Sequence, residues 1–290
     1  MPNLGKLLDF STRLHRENSQ PVSSDVFCSN LDPGLIDHIL GKDDAILMKD
    51  AMNIITDSSQ SLENRKIAFE NLEMVIHLEN MNMWEPLIQQ LSSSESIIRM
   101  YAASVCGTAV QNNIDSQKCF LNNGGLEKVL SLFNSDDNPD VRLKSFYAIA
   151  SEVRNNYAAL QEFCRLDGWA IIVKYLKDDN YSTIQRKILF FIWSLLLQDI
   201  GVELVIDSIK HNQLQKNLVY IMQRKEIQEN AFEETLKCIS LLYEKSSSIF
   251  DINELMYIKN VIKSIRERED FEIISKDDIN EISMQFGITE

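Results

Sequence analysis

His15, His38, His77 and His211 are the residues of this 290-residue chain best suited to hold a catalytic metal or shuttle a proton. A helix-borne zinc site needs two histidines four residues apart on one helix face. These four are scattered and none has such a partner, so no metal site is encoded. Gly124-Gly125 stands before an apolar run as a phosphate-cradling loop would, but the Lys and the Ser or Thr of such a loop are missing, and the pair reads as a turn. Cys28, Cys106, Cys119, Cys164 and Cys238 are odd in number and include no Cys-x-x-Cys pair, which fits reduced thiols. Cys106 and Cys238, each inside an apolar helical run, read as core. The carboxylate pairs Asp43-Asp44, Asp136-Asp137 and Asp277-Asp278 fall at loops or helix starts, where the positive end of the helix dipole favours them. None of these groups assembles into an acid–base or nucleophilic centre. The expectation is a protein that is not an enzyme, with no cofactor and no metal.

The groups that do recur are cationic. Arg99, Arg142 and Arg186, with Lys144 and Lys187 close by, return at steps of 43 and then 44 residues, and that step belongs to a larger echo. The stretch Ser93 to Ser135 is repeated from Asp136 to Asp178: Cys106 falls on Ile149, Val110 on Val153, Asn112-Asn113 on Asn155-Asn156, Phe120 on Phe163 and Gly125 on Gly168. Within a copy, Ile98, Ala102, Val105 and Ala109 recur at helical steps, and Val141, Ser145 and Ala148 keep that spacing until Glu152 breaks it. Asn112 and Asn155 suit a helix end, because Asn tolerates the left-handed conformation that satisfies terminal carbonyls; a partner contact is the second reading. A short helix follows, Gln117 to Asn122 or Leu160 to Leu166. Gly124-Gly125 and Gly168 then permit the turn into a third, Leu126 to Phe133 or Trp169 to Leu176. Three unequal helices in a period of this length specify an all-α, armadillo-type right-handed helical solenoid with helical caps, whose units must stack to share one core.

The outer units are degenerate, as terminal units are. Residues 61 to 91 carry one, with Ala68, Leu72 and Val75 on its long helix and Trp84 and Leu87 in the places of Leu126 and Val129. Residues 180 to 223 carry another, with Gln185-Arg186 falling where Arg142 predicts. Helices from Glu226 to Lys245 and Asn253 to Glu267 close the array, and Pro33 to Leu40 with Asp44 to Ile55 form an N-terminal cap. The organisation expected is an apolar segment and tether over 1–30, then a repeat domain over 31–290, with a cap at 31–60, about four repeats over 61–245 and a cap at 246–290. Leu72, Val75, Cys106, Val110, Ile149, Val153, Ile192 and Leu196 hold similar places on successive long helices and should line one core.

Composition agrees, at 44% hydrophobic with only nine Gly and five Pro. The formal charge of −14 argues against nucleic acid or an anionic membrane as partner. Ile188 to Leu197 is an apolar run about half the length that spans a bilayer, and reads as a buried helix. Leu4 to Phe10 is interrupted by Gly5, Lys6 and Asp9, unlike a signal peptide, so a cytoplasmic monomer is expected.

Particular strings resemble a known family. Leu47-Met48-Lys49, Ala68-Phe69-Glu70-Asn71, Trp84-Glu85-Pro86-Leu87, Asn123-Gly124-Gly125-Leu126, Phe146-Tyr147-Ala148 and Arg165-Leu166-Asp167-Gly168 resemble the cap and repeats of the Fes and HspBP proteins. These are armadillo nucleotide exchange factors of DnaK-class heat-shock chaperones. The likeness covers about residues 4 to 200 and is most specific over 62 to 168. It implies a binding mechanism: the concave face embraces one lobe of the chaperone's nucleotide-binding domain, the cleft opens, and ADP and then the client leave. It also implies that the basic residue at Arg186 contributes to chaperone binding, with Lys187 beside it. Arg99, Arg142 and Lys144 would lie on the same face, though Arg99 and Arg142 also fit the recurrent armadillo arginine that pairs with a neighbouring acidic residue. Leu4, Leu7, Leu8 and Phe10, with Leu14, resemble the family's N-terminal segment, which competes for the chaperone's client-binding domain; a helix docked on the repeats is the other reading.

Two departures stand out. The stretch between Ile76 and Trp84 is shorter than in fungal relatives, and Ser19 to Asp32 replaces their Glu-rich or Gly-rich linker. An armadillo adaptor for extended peptides is the alternative function. It would need a ladder of Trp and Asn on the long helices, where Trp193 is the only Trp.

Overall fold

A computed structural model describes residues 44–74, 83–178, 182–224, 229–267 and 274–288. The chain divides into two units, Met1–Lys49 and Asp50–Glu290, and the second carries nearly all of the described structure. Every regular element among the described residues is helical. Helix α1 spans Asp44–Thr56, α2 Leu62–Met74 and α3 Trp84–Gln90. The two matching units follow: α4 Ser96–Val110, α5 Ile114–Asn122 and α6 Gly125–Ser135, then α7 Pro139–Val153, α8 Tyr157–Arg165 and α9 Gly168–Lys177. The next is α10 Ser182–Leu197, α11 Val202–His211 and α12 Leu214–Gln223, and the array ends with α13 Glu229–Lys245, α14 Ile252–Arg266 and α15 Lys276–Gln285. This is the armadillo pattern of three helices per unit. Pro33 to Leu40, Val75 and the N-terminal segment lie outside the described residues, and no described helix is long and apolar enough to cross a membrane.

The paired asparagines divide their labour. Asn112 and Asn155 both take φ 56°, the left-handed conformation that ends α4 and α7. Asn113 then caps α5 by accepting from the Asp115 and Ser116 amides, both at 3.2 Å, and Asn156 caps α8 by accepting from Ala159 N–H at 3.1 Å. The short helices therefore begin at Ile114 and Tyr157, earlier than the apolar spacing alone suggests.

The glycines correct a second expectation. In the first copy Gly124 makes the turn at φ 71°; in the second that place is held by Asp167 at φ 55°, and Gly168 is already the first residue of α9. Gly125 and Gly168 are there for space, since a Cβ on either would lie 2.2 Å or 2.3 Å from the ring of Phe120 or Phe163.

Leu72, Cys106, Val110, Ile149, Val153, Ile192 and Leu196 are all buried, as the period requires. Aromatic side chains link successive units: Phe133 stacks on Tyr175 at 4.4 Å between centroids, and Tyr175 Oη donates to the Phe133 carbonyl. Burial pushes the Cys106 and Cys238 thiols far up from their usual range, so both are inert. Glu152, the residue that interrupts the apolar spacing, is fully buried, and burial raises its carboxyl to about 9. The run Ile188 to Leu197 is mostly core: Phe190 and Leu197 are half exposed, and Trp193 and Ser194 are partly exposed.

Candidate partner-binding face

The recurrent cations separate into two groups. Arg99 donates to Asp136 from Nε at 2.7 Å and Nη2 at 3.0 Å, and from Nη1 to the Ser93 and Ser94 carbonyls. The hydrogen bond from Arg99 is the main influence holding the Asp136 carboxyl below its usual range against the opposing effect of burial. Arg142 repeats the carbonyl part of this arrangement, donating to the Asp136 and Asp137 carbonyls. In the next unit the same work falls to Gln185, which is buried and donates to the Tyr175 and Asp178 carbonyls at 3.1 Å and 2.6 Å. So Arg99, Arg142 and Gln185 bind the loop before each long helix.

Arg186 lies one residue further along α10. At 3.6 residues per turn that is a rotation of about 100°, enough to bring it out of the loop contact and onto the open face. Its side chain is 53% exposed, and its close acid among the described residues is Glu234, with Nε 3.7 Å from Oε1. That contact is worth little at this exposure. Glu234 is itself shifted up from the usual carboxylate range, chiefly by burial and against the pull of Arg186. Lys187 is exposed beside it. Lys144 is partly engaged: its Nζ donates to Ser104 Oγ at 3.1 Å and sits 5.9 Å from the Tyr147 ring centroid. Asn112 and Asn155 are exposed at the ends of their helices, and the Asn155 amide donates to Gln198 Oε1 at 2.9 Å.

Around Arg186 the surface is not merely charged. A cleft of about 300 Å³ opens between α7 and α10, with Phe146, Tyr147, Phe190 and Phe191 below and Arg154, Arg186 and Lys187 at the rim. Phe190 and Glu234 also line a second cleft of about 220 Å³ over Trp193 and Lys237. Phe190 and Trp193 lie 5.6 Å apart, centroid to centroid. Phe190 and Tyr147 are the residues the cation pattern missed. For Phe190 the signal was present, since it and Trp193 stand four and seven residues beyond Arg186 and so share its helix face.

Such a surface can bind and orient a protein partner, and among the described residues no group of potential ligands is placed to hold a metal. Comparison with known proteins decides the family. Residues 4–83 match the family described as nucleotide exchange factor Fes1, and residues 75–228 match the SIL1/FES1/HPBP1 C-terminal domain. The chain belongs to the Fes1 family. The Hsp70 nucleotide exchange factor fes1 of Schizosaccharomyces pombe is 31% identical over 264 residues, 87% of this chain and 90% of its own. FES1 of Yarrowia lipolytica is 31% identical over 283 residues, covering 93% and 95%. Among solved structures, a designed armadillo repeat protein superposes with a TM-score of 0.63 over 82% of this chain and 99% of its own, at 11% identity, which supports the fold alone. Of the Fes1-family features, Leu4, Leu7, Leu8 and Phe10 fall outside the described residues. Helices α13, α14 and α15 lie beyond the span matched by the family models.

Proposed function

We propose that this protein is a nucleotide exchange factor for an Hsp70 chaperone of the DnaK class, acting as a cytoplasmic monomer with no cofactor and no chemistry of its own. The observation that carries this reading is the unbroken family match from residue 4 to residue 228. The long-helix face binds one lobe of the chaperone's nucleotide-binding domain in its open form, ADP leaves, and ATP rebinding releases the client. The physics is linkage: a protein that prefers the open state weakens nucleotide binding by the same factor by which nucleotide weakens its own binding. A shift of ~1,000-fold requires a preference of ~4 kcal/mol, which a broad contact can supply without any catalytic residue.

On this face we assign the principal contacts to Arg186 and Lys187 at the rim and to Phe190 beneath them, with Lys144 alongside. Arg99 and Arg142 serve by holding the loops before α4 and α7, and Asn112 and Asn155 by shaping the helix ends. Leu4, Leu7, Leu8 and Phe10 would engage the client-binding domain.

The test is stopped-flow release of a fluorescent ADP analogue from purified cytoplasmic Hsp70, chased with ATP. Release should accelerate with added protein and saturate. An unchanged release rate at saturating protein would overturn the proposal.

A further inference from the structure

We propose that a slot between α10, α13 and α15 is a docking site for a basic amphipathic helix of a partner protein, a function separate from nucleotide exchange. Its volume is about 570 Å³, the largest of the clefts described above, and its outer wall, α15, lies beyond the residues matched to the family. Trp193 and Leu197 from α10 and Leu241 from α13 make its apolar floor, joined by Ile282 from α15. Leu197, the last residue of α10, is 50% exposed. A groove bounded by three helices presents apolar surface at the spacing that a fourth helix would fill with anchors at i, i+3 or i+4, and i+7.

One end of the slot is fixed. Gln285 Nε2 donates to the Ser240 carbonyl at 3.1 Å, Ser240 Oγ bonds the Gln285 carboxamide oxygen, and Phe286 stacks on Tyr243 at 4.2 Å between centroids. The wall is therefore held against α13 and does not depend on an occupant.

Charge selects the occupant. Glu244 on α13 and Asp278 and Glu281 on α15 stand exposed along the slot, the last two three residues apart and so on one helix face. The single lysine of the lining, Lys237, is already paired with Glu233 at 2.6 Å. An apolar floor between carboxylates that have no ion-pair partner among the described residues is complementary to a helix with a leucine-type stripe flanked by Lys or Arg. It would repel the acidic counterpart.

The probe is a labelled 14-residue helical peptide with leucines on one face and lysines on the other, followed by fluorescence anisotropy against the full chain. A twin with glutamate in place of every lysine is run alongside. The lysine peptide should bind and the glutamate twin should not. Leu197→Asp and the pair Asp278→Lys/Glu281→Lys should each weaken binding at least tenfold. The control pair Asp115→Lys/Glu127→Lys, with the same change in net charge on α5 and α6, should change it less than twofold. Circular dichroism checks that every variant keeps its helix content.

Four results would overturn the proposal: no binding by the lysine peptide, equal loss in the control pair, undiminished binding to Leu197→Asp, or a dimer in sedimentation that Leu197→Asp abolishes, which would give the slot to a second copy. The same variants in the ADP-release assay should behave as wild type. Loss of exchange in Leu197→Asp would instead make the slot part of the exchange face and overturn its independence, whereas failure of the wild-type protein to exchange leaves the peptide result standing.

Discussion

Helices α4 and α7 meet in one way and α7 and α10 in another, although all three hold the same place in their units. Between α4 and α7 the residues are small: Ala102, Ala103, Gly107 and Ala109 are buried on α4, and a Cβ at Gly107 would come within 2.5 Å of the Tyr147 ring and 3.1 Å of the Ala148 Cα. The backbones approach closely along their length. Between α7 and α10 the contact is aromatic, Phe146 meeting Phe191 edge to face at 5.7 Å between centroids. Among the described residues that pair lacks the close backbone approach of α4 with α7 or α10 with α13. Where small residues let helices close, the surface is sealed by side-chain bonds such as Lys144 to Ser104. Where rings hold them apart, a cleft remains with Arg186 at its rim. The first interface is the closely packed one, and the proposed recognition surface lies over the second.

The largest effect should come from the sealed side. Ile149→Ala removes a fully buried side chain from α7 and should destabilise the fold by ~2 to 5 kcal/mol in chemical denaturation, with exchange activity intact at temperatures where the variant is folded. A loss below ~1 kcal/mol would mean that this region is not the core.

Glu152, also on α7, should show as a pH effect. Its carboxyl titrates at about 9 in the fold against an ordinary 4.5. The native state therefore keeps a proton that the unfolded chain has released, and the stabilisation is complete below pH 4.5 and disappears as pH rises toward 9. Stability should fall by up to ~1.4 kcal/mol per pH unit in that window from this group, and Glu152→Gln should remove this part of the slope. An identical slope in the variant would place the carboxyl in water.

The smallest effect on stability should come from the open side. Phe190→Ala should change it by no more than ~0.5 kcal/mol, because the ring is 49% exposed, while weakening Hsp70 binding about tenfold in titration calorimetry. Unchanged affinity would remove Phe190 from the contact.

The period, the helix types and the Asn pairs were legible because each depends on local spacing and backbone preference. Core positions followed from the period. Less legible was anything decided by one residue of rotation: the spacing that related Arg186 to Arg142 was right to a single position, yet Gln185 inherits the loop contact and Arg186 is turned outward. Side-chain identity misled there, because an amide and a guanidinium can satisfy the same carbonyls. Asp167 concealed its turn in the same way, by replacing a glycine at a left-handed position. The cleft itself depends on how far rings on separate helices hold the backbones apart, which no single-helix pattern contains.

The long-helix face around Arg186 should drive exchange. The measurement is the rate of fluorescent ADP release from Hsp70 against concentration of the Arg186→Glu/Lys187→Glu protein, with circular dichroism as folding control. Helix content should be unchanged, and the concentration giving half-maximal acceleration should rise at least tenfold, because reversal turns attraction into repulsion at the rim. A fully helical variant that accelerates release at wild-type concentration would contradict the claim and place the working face elsewhere on the repeats.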